Sequence, residues 1–174
     1  MSTDNTTADD LSRFTAAAER VDATVTHTTT ADAEDVLADA IDKPAAGVEL
    51  DIEGVSLSDL PVTLDPTGAD VTGAATGITR AALGIADYGS VVIRETTAGE
   101  EPVSLFGETH VAVVAASDIV PDMPTAFEQF GEWMRTDSTD AVIATGPSAT
   151  ADMGALVKGA HGPRAVHIVV VEDR

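Results

Sequence analysis

The sequence predicts a single α/β domain with a mostly parallel sheet flanked by helices. Three observations carry that expectation. The chain has 174 residues, a length that suits one domain. Its last third alternates near-continuous apolar runs with helix-patterned segments, as βαβ units do when helices cover both faces of a sheet. Hydrophobic residues make up 44% of the chain but aromatic ones only 3%, so Val, Ala, Ile and Leu must build the core.

Taken in order, Leu11, Phe14, Ala18 and Val21 lie on helical spacing after a Thr- and Asp-rich lead able to cap. Residues 1–8 are expected to form a flexible N-terminus ahead of a domain spanning 9–174. A short strand is expected at 23–25. Ala33, Val36, Leu37, Ala40 and Ile41 then recur at i, i+3, i+4, i+7 and i+8, which predicts a helix with Thr30 as its cap. Lys43-Pro44 ends it, because proline disfavours helical geometry in the residue before it, and 48–52 reads as extended. Gly68, Gly73, Gly77, Gly84 and Gly89 punctuate the middle, where short strands at 81–86 and 90–94 are joined by a tight turn at Asp87, Tyr88 and Gly89. Beyond it the pattern predicts a strand at 111–116, a helix at 124–135, a strand at 141–144, a helix at 149–157 and a strand at 166–171. These strands are expected to be buried and parallel. Ligands of such sheets tend to sit beyond the strands' carboxyl ends, which points to 145–152.

Charge excludes several partners. The chain carries 30 acidic and 9 basic residues, a net charge of −21, with Lys43 and Lys158 as its lysines. No basic stripe is present to displace counterions from a phosphate backbone, which argues against nucleic acid and anionic membranes. The acids are dispersed, and with few lysines they suit a cytoplasm rich in potassium chloride, where short screening lengths suppress self-repulsion. A halophilic, acidic, cytoplasmic protein is the expectation. Without cysteine the chain has no disulfide, thiolate metal site or Cys-ligated iron-sulfur cluster. Residues 1–10 lack a signal-peptide pattern, and no apolar run approaches a membrane span.

The richest candidate for chemistry is Gly146-Pro147-Ser148-Ala149-Thr150-Ala151-Asp152, a strand-to-helix turn in which backbone N–H groups, the helix dipole, Ser148 and Thr150 would hold an anion. The same pattern is met by a Ser148 that only caps the helix, and capping is the commoner use. Next comes Gly159-Ala160-His161-Gly162-Pro163, where His161 is the candidate general acid or base; taken alone, the segment is better read as a turn whose imidazole merely bonds a carbonyl. A Ser148, His161 and Asp152 triad fails the nucleophile-elbow pattern, since Thr150 occupies the place of its final glycine. His110, His161, His167 and Glu108 lack the spacing of a metal site, and no metal is assigned. The glycines from Gly68 to Gly77 match no nucleotide-binding loop.

Together these segments resemble the LUD domain family, in its lactate utilization protein C type. The resemblance rests on Gly146-Pro147-Ser148-Ala149-Thr150-Ala151-Asp152, on Gly159, His161, Gly162 and Pro163, on Ile85-Ala86-Asp87-Tyr88-Gly89-Ser90, and on His110-Val111-Ala112-Val113-Val114 with Ile119-Val120. It implies the fold shared by sugar-phosphate isomerases and CoA transferases. It also implies a part in oxidising L-lactate to pyruvate beside iron-sulfur protein partners, and a ligand near Gly146, Ser148, Thr150, Asp152, Gly162, Asp87, Gly89, Ser90 and His110. The sequence departs from the family at Tyr88, Ser90 and Gly154.

Oxidising lactate removes two electrons, yet the chain shows neither cysteine nor a flavin or nicotinamide fingerprint. The expectation is therefore a non-redox subunit that binds a small carboxylate or organises its partners, with no cofactor of its own and iron-sulfur clusters in those partners. The alternative is a stand-alone transferase or isomerase acting on a phosphorylated or CoA-linked metabolite, which would need a carboxylate such as Asp87, Glu108 or Asp152.

Overall fold

The structure, a computed structural model, describes residues 3–136, 140–152 and 155–174. In chain order the elements are α1 (Thr3–Arg20), β1 (Thr24–Thr28), α2 (Ala33–Ala40), β2 (Ala45–Gly47), β3 (Thr63–Leu64), α3 (Gly68–Gly73), β4 (Thr76–Arg80), β5 (Leu83–Ile85) and β6 (Ser90–Arg94). They continue with α4 (Glu100–Phe106), β7 (Thr109–Ala115), a 3-10 turn (Ala116–Asp118), β8 (Ile119–Val120), α5 (Met123–Thr136), β9 (Ala141–Ala144), β10 (Ala149–Asp152), β11 (Ala155–Lys158) and β12 (Ala165–Val171).

The expected parallel sheet is present, with six strands in the order β1-β12-β7-β4-β2-β3, every neighbouring pair parallel. Its central strands read as unbroken apolar runs because both faces are covered. On β7 and β12, Val111, Val113, Val169 and Val171 face Leu37 of α2 and the buried Leu50, Ile52 and Leu57. Ala112, Val114, Ile168 and Val170 face the other way, onto Phe14 and Ala18 of α1 and Val91 and Ile93 of β6. A second, mixed sheet, β8-β5-β6-β9, lies on that side, and its outer residues Leu83, Ile85 and Val92 are covered by α5 through Ala126, Phe130 and Trp133. No helix among the described residues is long and apolar enough to cross a membrane.

Several elements differ from the sequence reading. The largest correction concerns 149–157, which is not a helix: β10 and β11 pair antiparallel, Ala149 opposite Lys158 and Asp152 opposite Ala155. Short apolar runs satisfy helical and strand periods alike. Tertiary bonds decide here, since the Ser148 N–H donates to the Pro163 carbonyl and the Gly159 N–H to the Ser148 carbonyl, both at 2.9 Å, closing the base of a hairpin. β9 is likewise not a buried parallel strand. It pairs antiparallel with β6 at the end of the second sheet, with Val142 and Ala144 half-buried and Ala141 and Ile143 exposed. The extended segment placed at 48–52 falls earlier, at β2, where Ala45 and Ala46 reach the sheet; Leu50 and Ile52 still enter the core, from irregular backbone. Thr30 does not cap α2. Asp32 holds the N-cap position without a side-chain bond, and Thr30 donates its N–H and hydroxyl to the Asp173 carboxylate at 2.9 and 2.7 Å. β1 runs three residues beyond the strand expected at 23–25, and α1 begins at Thr3, inside the stretch expected to be flexible. Gly154 lies outside the described residues.

The Asp87-Tyr88-Gly89 turn joins β5 and β6 as expected. Gly89 is required there for two reasons: its φ is 62°, and a Cβ would lie 2.1 Å from the Ala18 backbone N of α1. The motif glycine therefore seats the helix.

Candidate functional site

Four separate segments converge on one cavity of about 250 Å³. α4 supplies Ser104 and Leu105, β7 supplies His110, β9 and the loop after it supply 142–148, and the loop before β12 supplies His161, Gly162 and Pro163. His110 is the second residue of β7 and pairs with Gly77 and Val166, so the cavity opens at the amino ends of the parallel strands. This corrects the expectation of a carboxyl-end site. The loop at 145–148 still reaches a cavity, but from the end of β9, which runs antiparallel in the other sheet.

Gly146 holds the loop against α1. Its φ is 67°, and a Cβ would stand 2.1 Å from the Val21 carbonyl oxygen, so only glycine lets the chain turn here. At Gly162 a Cβ would come within 3.2 Å of the Ser148 Cβ and 3.6 Å of its Oγ, so the missing side chain leaves space beside that hydroxyl. Thr145 shares a 2.7 Å hydrogen bond with Ser90 of β6, which ties the loop to the second sheet.

His110 is 1% exposed and shares a 2.9 Å hydrogen bond between its Nε2 and Thr79 Oγ1. Burial pushes its imidazole down to about 4, so it is neutral at pH 7 and offers a fixed polar floor. His161 is exposed at the rim. The described lining carries no Asp, Glu, Lys or Arg, and the helix N-terminus expected beside Ser148 does not exist, so no helix dipole favours an anion there. What remains for a ligand is a small space with hydroxyls from Ser104, Thr145 and Ser148, two imidazoles and an apolar wall.

The structure thus gathers Gly146, Ser148, His161, Gly162 and His110 of the predicted site residues. Of the others, Thr150, Asp87, Gly89 and Ser90 are absent from its described lining. Thr150 and Asp152 stand on β10, Asp87 and Gly89 form the turn under α1, and Ser90 reaches the cavity through Thr145. Asp87 lies 3.6 Å from Arg13, Glu108 lies 3.6 Å from Arg164, and half-buried His167 bonds Thr26 at 2.8 Å, its imidazole lowered by burial. No group of metal-ligating side chains occurs among the described residues. Ser104, Leu105 and Val142 escaped the sequence reading, since an α4 and a β9 of unknown orientation gave no signal for where they point.

A single-domain α/β protein with a parallel sheet and a cavity built by its glycine- and proline-bearing loops is the class these features define. The LUD domain profile matches residues 65–171, and the chain belongs to the LUD domain family. It is similar to lactate utilization protein C of Macrococcus caseolyticus, 35% identical over 94 residues, covering 52% of this chain and 41% of that one. It is also similar to lactate utilization protein C of Geobacillus sp. strain WCH70, 37% identical over 95 residues, and of Bacillus subtilis, 34% over 98, each match covering 52% of this chain and 39% of the relative. The matched stretch thus spans about two fifths of those relatives' own length. Among solved structures, a DUF162 family protein from Deinococcus radiodurans superposes with a TM-score of 0.74 at 20% identity, over 95% of this chain and 98% of that one. The resemblance read from the motifs, and the α/β fold with it, is borne out.

Proposed function

We propose that this chain serves lactate utilization as a non-redox component, binding a small carboxylate or organising iron-sulfur protein partners through the cavity at Ser148 and His161. The observation that carries this reading is the convergence of two motif loops, Gly146-Pro147-Ser148 and His161-Gly162-Pro163, with His110 on one cavity. At about 250 Å³ it falls below the usual range for ligand pockets and suits a metabolite of a few carbons better than a nucleotide or CoA ester. A carboxylate held there would meet the Ser148 hydroxyl and the His161 imidazole at the rim. The electrons of lactate would pass to the partners. A transferase would need a carboxylate nucleophile, and the described lining offers none.

The test is to purify the tagged protein from its host at high potassium chloride, assay L-lactate-dependent dye reduction, and identify co-eluting chains by mass spectrometry. Activity that travels with iron-sulfur proteins and falls at least tenfold in Ser148→Ala or His161→Ala supports the reading. A lone, inactive chain, or full activity in both variants, removes it.

A further inference from the structure

At the floor of the motif cavity one polar group is only half bonded. His110 is 1% exposed, yet it forms part of the cavity lining with Val166 of β12 and Val142 and Ala144 of β9. Its Nε2 lies 2.9 Å from Thr79 Oγ1, while its Nδ1 bonds to no described residue. Nor is Nδ1 sealed inside the protein, so it is the polar atom that the imidazole presents to the cavity.

Thr79 decides which ring nitrogen carries the proton. Its side chain is buried, and among the described residues its hydroxyl has Nε2 as its one partner. A buried hydroxyl proton without an acceptor costs more than an oxygen with a spare lone pair, so the hydroxyl donates to Nε2 and the imidazole proton sits on Nδ1. Burial keeps the ring neutral down to about pH 4, so this N–H is present throughout the neutral range. Ser104 commits its own hydroxyl proton to the Glu101 carbonyl at 2.7 Å. The inner end of the cavity therefore offers a donor without a charge. An uncharged acceptor oxygen suits it, whereas a carboxylate pushed that deep would be desolvated with no Lys or Arg in the described lining.

Building on the carboxylate reading above, we infer that the ligand carries a second oxygen, a carbonyl, that accepts from His110 Nδ1–H at the cavity floor while its carboxylate stays toward Ser148 and His161. The substrate class is a short oxo acid. His110 tells it from the plain carboxylic acid of the same length, because the analogue without the oxygen leaves a buried donor unpaired.

Two matched pairs of probes, pyruvate with propionate and acetoacetate with butyrate, are titrated into the full chain by calorimetry at neutral pH and fixed potassium chloride. In at least one pair the oxo acid is expected to bind tighter by tenfold or more. His110→Gln keeps an acceptor for Thr79 but has nothing in place of Nδ1, and should lose that preference; His110→Asn sets its amide nitrogen near the Nδ1 position, gives up the Thr79 bond, and should keep it. Ser148→Ala should weaken both members of a pair alike. Long-range proton–nitrogen NMR spectra of the free protein, with the His110 signals identified by their loss in the variants, should place the ring proton on Nδ1. Circular dichroism checks each fold, and if one His110 variant fails to fold, the other decides together with the spectra. Equal binding within both pairs, a preference that survives in folded His110→Gln, or a proton on Nε2 would overturn the inference and leave the carboxylate reading standing. Binding of none of the four probes overturns both.

Discussion

Lowering the pH from 7.5 to 5 should cost the folded state about 2 kcal/mol through His110 alone. Its imidazole is enclosed between strands and pushed by burial from an ordinary 6.5 down to about 4. The folded value is the depressed one, so between these two values the unfolded chain binds the proton that the folded chain refuses. Stability from this group is therefore whole above about pH 6.5, falls as the pH drops, and stops falling near 4. Each pH unit inside that window is worth about 1.4 kcal/mol, and the span from 6.5 to 5 gives about 2. The assay is urea unfolding at pH 7.5 and 5 in constant potassium chloride, for the parent and for His110→Gln, whose amide can still bond Thr79 but does not titrate. Changes in self-repulsion among the acids act on both proteins and cancel in the comparison. The parent's advantage over the variant should shrink by about 2 kcal/mol at pH 5. Equal pH dependence in the two would mean that the imidazole is not desolvated in the fold, and the account of the cavity floor would fall with it.

Gly146→Ala combines a positive φ with a Cβ 2.1 Å from the Val21 carbonyl oxygen, and a loss of about 2–4 kcal/mol is expected in urea unfolding. Gly131→Ala, inside α5 with its nearest contact at 3.5 Å, should gain up to about 1 kcal/mol in the same experiment. Phe14→Ala, at a position 0% exposed between α1 and the two sheets, should lose about 3–5 kcal/mol, read as a fall in melting temperature. Because the net charge is −21, raising potassium chloride from about 0.1 to 1 M shortens the screening length from about 10 to 3 Å and should raise the melting temperature. A flat or falling trend would contradict the reading of the acidic surface as salt-adapted.

Much of the site could be read as two loops, because glycine, proline and a flanked histidine mark irregular backbone wherever they fold. Gly146 and Gly89 were singled out for ligand contact, yet both are needed where the backbone of α1 or its following turn presses against them. A glycine that admits a neighbouring helix and one that admits a ligand look alike in a sequence.

By itself the sequence determined which segments are apolar on both faces, hence the strands at β7 and β12 and the parallel sheet they centre. It determined α5 and α2 by their 3.6-residue period, and the β5–β6 turn by its glycine. Only the tertiary structure decided that β10 and β11 pair as antiparallel strands and that β9 runs antiparallel at a sheet's end. Both segments are too short for their own periodicity to choose, so bonds to residues far along the chain choose for them. Which end of the sheet holds the motif cavity follows from those two outcomes, and strand direction is a property of the pairing, not of the strand.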